Sequence, residues 1–190
     1  FEEGTTKIAD YILKESRNLK TVLLPETVTE IGNSAFISCT GLETITFPDG
    51  VTVIGGAAFK GCTALASVNL PKNLTSIGPR GFEECGALKE IEIPKTLTSA
   101  NSLAVFGGSG IEKVTFEDGT TKVANYLLRQ SSNLKTVILP ETVTEIGDSA
   151  FLECTGLETI TLPDSVTVIG ASAFNGCVVL ASVNLPGSLT

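Results

Sequence analysis

The stretch LETITFPDGVTVIGGAAFKGCTA, residues 42–64, decides how the whole chain is read. Its apolar side chains stand at Leu42, Ile45, Phe47, Val51, Ile54, Ala58, Phe59 and Cys62, and the same columns recur every 23 residues in both directions. Leu19, Leu42, Leu65, Leu88, Ile111, Leu134, Leu157 and Leu180 share the first column. A proline column runs through Pro25, Pro48, Pro71, Pro94, Pro140, Pro163 and Pro186, interrupted only at Glu117. The 190 residues divide into a partial repeat over 1–18, seven copies over 19–179 and a partial copy over 180–190. Self-similarity at such a period is the mark of a repeat architecture, here one continuous unit.

Each copy opens with L-x-x-I-x-L, whose fourth and sixth positions alternate as in a strand, and a proline then stops the pairing. One strand per repeat is expected. A lone repeat buries about seven apolar side chains at roughly 1.5–3 kcal/mol each, against roughly 1–2 kcal/mol of backbone ordering for every residue. No repeat folds alone; stacked neighbours bury a continuous core and pair their strands into a parallel sheet, which makes a solenoid. The G-x-x-A-F-x-x-C segment spaces its apolar residues as a helical turn or short 3₁₀ piece does, and the Ile-Gly before it turns the chain. A longer repeat is superimposed, since residues 116–190 match residues 1–75 at 55 of 75 positions.

The pattern LxxIxLPxxVTxIGxxAFxxC resembles the BspA-like leucine-rich repeat family of bacterial surface and secreted proteins, and the resemblance covers the whole chain. It implies a leucine-rich-repeat solenoid, a right-handed curved horseshoe with a parallel β-sheet on the concave face and short turns, 3₁₀ or helical pieces on the convex face. It further implies a non-enzymatic macromolecule-binding or adhesion module, extracellular or at the cell surface, with a protein or glycan ligand such as a host extracellular-matrix or plasma protein. Two other roles fit the same fold: a rigid spacer presenting another domain, and a recognition appendage of an enzyme. Residues 88–133 depart from the pattern, with Ala100, Asn101, Gly108, Glu117, Ala124 and Ser131 in place of the expected Ile, Gly, Cys, Pro, Gly and Cys.

Composition narrows the partners. With 13 Lys plus Arg against 21 Asp plus Glu and a net charge of −8, the chain lacks the basic footprint of a nucleic-acid binder. No apolar run approaches the roughly 18–20 residues of a membrane span, and nothing at residue 1 reads as a signal peptide. The opening FEEG falls inside a repeat and the sequence has no Met, so a fragment of a longer protein is expected. Both ends break within repeats, and weak end-to-end self-association is expected of their unpaired edges.

The candidate residues divide by column. Cys39, Cys62, Cys85, Cys154 and Cys177 share one position and are expected as a reduced core ladder. Without any His, no zinc site is expected, and the sequence requires no other metal or cofactor. Thr6, Thr29, Thr52, Thr75, Thr98, Thr121, Thr144, Thr167 and Thr190 form an unbroken column, expected as a hydroxyl ladder on a second short extended segment rather than an ice-binding array. The carboxylate pairs Glu2 and Glu3, Glu83 and Glu84, and Glu117 and Asp118 mark solvated bends, and no nucleophile has a histidine base. The concave face is the remaining candidate: Lys89, Glu90, Glu92, Glu112 and Lys113 form its charged centre, either as a binding patch or as a solvated face whose charges pair across strands.

Overall fold

The structure is a computed structural model that describes residues 4–100 and 103–189. Asn101 of the irregular repeat, Thr190 of the threonine column and the pair Glu2 and Glu3 lie outside the described residues.

The chain forms a parallel-strand solenoid of about eight turns, and each turn carries two strands, not one. The L-x-x-I-x-L segments give β2 (Thr21–Leu23), β4 (Thr44–Thr46), β6 (Ser67–Val68), β8 (Glu90–Ile93), β10 (Lys113–Phe116), β12 (Thr136–Ile138), β14 (Thr159–Ile160) and β16 (Ser182–Val183). The V-T-x-I segments give a second stack: β1 (Lys7–Ile8), β3 (Glu30–Ile31), β5 (Val53–Ile54), β7 (Ser76–Ile77), β9 (Ser99–Ala100), β11 (Lys122–Val123), β13 (Glu145–Ile146) and β15 (Val168–Ile169). This second stack is the short extended segment expected of the threonine column, and only two residues per turn pair in it, too few to show alternation. Every ladder is parallel and in register by one repeat, as in Ile8↔Ile31, Ile31↔Ile54 and Ile54↔Ile77.

The outer G-x-x-A-F-x-x-C segment is not helical. Its amides alternate between two directions: Ser34, Phe36 and Ser38 donate to the Gly56, Ala58 and Lys60 carbonyls one turn on, at 2.7–2.8 Å, while Ile37 and Cys39 donate three residues back. The alternation requires left-handed residues at two columns per turn, occupied by Ser34 and Ser38, Ala57 and Gly61, Arg80 and Glu84, and Ser149 and Glu153. Twelve non-glycine residues among those described lie in that region of φ, and ten of them donate an amide to the next turn. The spacing that reads as a helical turn is thus half satisfied within the turn and half between turns.

The apolar columns fill the interior. Phe36, Phe59, Phe82 and Phe106 stack face to face with ring centroids 5.1, 5.1 and 5.7 Å apart, and Phe151 with Phe174 at 5.2 Å. Leu128 takes the column between these runs and is fully buried. Phe106 stands 24 residues after Phe82, so this turn has slipped by one residue, and its inter-turn bonds confirm the slip: Phe82 donates to Val105, 23 residues on, where Phe59 donates to Gly81, 22 on. Ser109, not Gly108, therefore takes the cysteine position, donating its amide to Phe106 as Cys39 does to Phe36. The turn recovers its phase by losing one residue before Ile111, which keeps the period intact.

The glycine after the isoleucine column answers a different need from the bend expected of it. A Cβ on Gly55 would lie 2.7 Å from both the Asn33 amide nitrogen and the Gly32 carbonyl carbon of the preceding turn. Successive turns approach here backbone to backbone, and any side chain would push them apart.

Candidate functional site

β8 and β10 are the longest strands of the molecule, four residues each. Alternation sends Ile91, Ile93, Val114 and Phe116 into the core and places Glu90, Glu92, Lys113 and Thr115 on the opposite face of the sheet. The parallel register sets Lys113 beside Glu90 and Thr115 beside Glu92. Lys89 and Glu112 precede the two strands in the adjoining column. The structure thus brings all five expected residues onto two neighbouring turns.

Their charges pair along the solenoid axis. Lys89 Nζ lies 3.2 Å from Glu112 Oε1, Lys113 Nζ lies 3.3 Å from Glu90 Oε2, and Lys135 Nζ reaches Glu112 Oε2 at 2.9 Å. Glu112 sits between two ammonium groups, and hydrogen bonds from Lys135 and then Lys89 hold its carboxyl below the ordinary glutamate value. The same bond raises the Lys135 ammonium. Lys135 belongs to the cluster although the sequence reading omitted it. The signal was present: Lys20, Glu43, Ala66, Lys89, Glu112, Lys135 and Glu158 form one column of largely alternating sign. Of the five, Glu92 alone has no ion pair among the described residues. Such exposed pairs contribute about 0–1 kcal/mol each, so they pattern the face more than they hold it.

Two hollows flank Glu92. One, of about 300 Å³, lies over the junction of β6 and β8 between Asn69, Glu92 and Thr115. The other, of about 210 Å³, is bounded by Asn69, Leu70, Lys72, Glu92, Pro94 and Glu117. Glu117 replaces the column proline at its edge; its carboxylate accepts the Lys95 amide at 3.0 Å and lies 3.6 Å from Lys95 Nζ. That amide bond, more than the ammonium, lowers its pKa. The first stack breaks between β6 and β8 and again between β12 and β14: β2, β4 and β6 form one ladder, β8, β10 and β12 another, and β14 and β16 a third.

The other candidates have structural partners. Thr29, Thr52, Thr75, Thr144 and Thr167 each place a hydroxyl 3.0–3.4 Å from the carbonyl of the threonine one turn before, which also accepts the amide. Those donors are spent on backbone, as a structural ladder requires. Cys39, Cys62, Cys85, Cys154 and Cys177 are free thiols donating to carbonyls at 3.0–3.3 Å. Burial pushes the Cys62 and Cys154 thiols up to about 12 and Cys85 further still. Glu83 and Glu84 both pair with Lys60 in the outer turn. Among the described residues, no group of three or more metal-ligating side chains converges, and no helix is long and apolar enough to cross a membrane.

Comparison with known proteins places this architecture. The model of the BspA type leucine rich repeat region, built of six copies, matches residues 1–109 and 102–190. No curated protein matches the sequence. Among solved structures, the chain is similar to a leucine-rich cell surface protein of Faecalibacterium prausnitzii, with 32% identity and a TM-score of 0.58 over 94% of this chain and 42% of that one. It is similar to a leucine-rich repeat protein of T. pallidum, with 27% identity and a TM-score of 0.69 over 93% and 72% of the two chains. A leucine-rich repeat protein of Eubacterium ventriosum gives 30% identity and a TM-score of 0.70 over 90% and 45%. The chain therefore spans less than half the length of the first and third of these proteins. Its repeat, its stacked parallel strands and a family match from end to end make this chain a member of the BspA-type leucine-rich-repeat family.

Proposed function

We propose that the chain is a non-enzymatic binding module of a bacterial cell-surface or secreted protein, acting as one continuous solenoid in adhesion to a protein or glycan. The binding face is the concave strand face over the central turns, with Lys89, Glu90, Glu92, Glu112 and Lys113 at its centre. One observation carries the reading: the longest strands, β8 and β10, display a compact block of alternating charge where the flanking strands present uncharged side chains, Ser67 on β6 and Thr136 and Ile138 on β12. Such a block fixes the register of a complementary partner and excludes mismatched ones by like-charge repulsion. Its similarity to a cell surface protein of F. prausnitzii supports the location.

The test is a binding array of extracellular-matrix proteins, plasma proteins and glycans, probed with the wild-type chain and a charge-swapped variant. The variant combines Lys89→Glu with Glu112→Lys and Lys113→Glu with Glu90→Lys, which keeps two of the three ion pairs while inverting the pattern. A partner held by wild type and released by an equally stable variant is the expected result. Unchanged binding by the variant would overturn this placement of the face.

A further inference from the structure

We infer that the open junction between β6 and β8, with the hollow beside it, is a saccharide subsite of the strand face, an inference that rests on that face being the binding face. Three observations converge there. The ladder that joins β2 to β4 to β6, and β8 to β10 to β12, is absent between β6 and β8 among the described residues, as it also is between β12 and β14. The amide that links turns at Ala66→Glu43 and at Glu112→Lys89 has no counterpart from Lys89 to Ala66 or from Glu158 to Lys135, so the unpaired polar lining is what sets the β6–β8 junction apart. The two hollows, about 300 and 210 Å³, share Asn69 and Glu92 and so form one groove.

The groove is lined by polar side chains left over from the ladders. Ser67, Asn69, Glu92 and Thr115 make no side-chain hydrogen bond or ion pair among the described residues, although Ser67 shares its column with the paired Glu90 and Lys113. Lys72 has no ion pair among them either; its charge acts only at a distance on Glu117. Leu70 and Pro94 supply an apolar wall between these groups. A carboxylate and a primary amide each engage two neighbouring hydroxyls, hydroxyls and an ammonium complete the donor set, and an aliphatic wall receives the C–H face of a sugar ring. The lining carries no aromatic or arginine side chain, so hydrogen bonding and the aliphatic wall are what it offers a ligand.

The duplicated block makes the site specific to one place. Asn184, the counterpart of Asn69, spends its amide on the Leu162 backbone, accepting from the nitrogen and donating to the oxygen, both at 2.9 Å. Gly187 stands where Lys72 does. The hollow beside Asn184 therefore lacks both free groups.

The experiment is an NMR titration of the full chain, ¹⁵N-labelled, with cellotetraose, N-acetylchitotetraose and tetragalacturonate, each raised to about 10 mM. The expected result is a shift confined to residues 67–72, 90–93 and 115–117 with at least one sugar. Asn69→Ala and Glu92→Gln should each weaken it about tenfold, and Lys122→Ala, on the other stack, should leave it unchanged. Lys72→Ala should weaken tetragalacturonate most if that sugar binds, because the ammonium then meets a carboxylate. Silence of these residues toward all three sugars, shifts that survive both Asn69→Ala and Glu92→Gln, or shifts from an array protein alone would overturn the subsite. If the charge-swapped variant still releases its array partner while the sugars are silent, the subsite falls and the binding face stands.

Discussion

Ser131 and Ser109 are fully buried in the position that cysteine holds in other turns, and neither hydroxyl finds an acceptor among the described residues. The longer C–S bond lets each thiol reach a carbonyl one turn back, at 3.0 Å for Cys39 and Cys154, which the serine oxygen does not. A buried unsatisfied hydroxyl costs about 1–3 kcal/mol. Ser131→Cys should therefore raise stability by about 1 kcal/mol, read as a higher urea midpoint; a lower midpoint would show that the column is not tuned by reach. Gly55→Ala should cost more than about 2 kcal/mol, because the added methyl meets backbone that has no room to yield. A midpoint within error of wild type would refute the close approach of turns. At this scale the cysteine column was legible from spacing alone. The move from Gly108 to Ser109 was not, because an inserted residue before Phe106 and a lost one before Ile111 cancel in any count of the period.

The strands and outer turns owe their form to their neighbours. The apolar columns, the in-register pairing and the charge column of Lys89, Glu112 and Lys135 could all be read by counting in steps of 23. The alternating outer amides could not, since left-handed residues such as Tyr11, Ala57 and Tyr126 have no local preference for that conformation and donate their amides to adjacent turns. The ladders also set the response to pH. Glu112 and Glu117 have folded pKa values below the ordinary one, so their contribution is present above about pH 4.3 and is lost as pH falls through the folded values. The buried thiols act on the other side: the unfolded chain releases their protons above about pH 8.5 while the folded chain keeps them, so stability falls as pH rises. With no histidine, stability should be flat between these limits. Stability from urea unfolding should fall between pH 8 and 10 by roughly 2 kcal/mol for each fully buried thiol, and Cys62→Ala should flatten that slope while lowering stability at pH 7. An alkaline limb that ignores Cys62→Ala would contradict the burial of the thiols.

Across the whole molecule, two copies of a 75-residue block flank a central stretch that breaks the pattern. That stretch, residues 76–115, slips one turn at Phe106 and carries β8 and most of β10, while Glu117, like Glu2 in the first copy, stands in the proline column at the start of the second copy. The duplicated turns form the regular scaffold, and the chemistry that differs from it is concentrated where the repeats differ. The central claim is that recognition occurs on the strand face of those turns. Hydrogen exchange read by mass spectrometry, on the chain alone and saturated with the strongest binder from the array, tests it most directly. Added protection is expected in peptides covering residues 88–93 and 111–116, with the V-T-x-I stack at 30–31, 53–54 and 145–146 unchanged. Protection confined to that second stack or to the outer turns, with residues 88–116 unaltered, would contradict it.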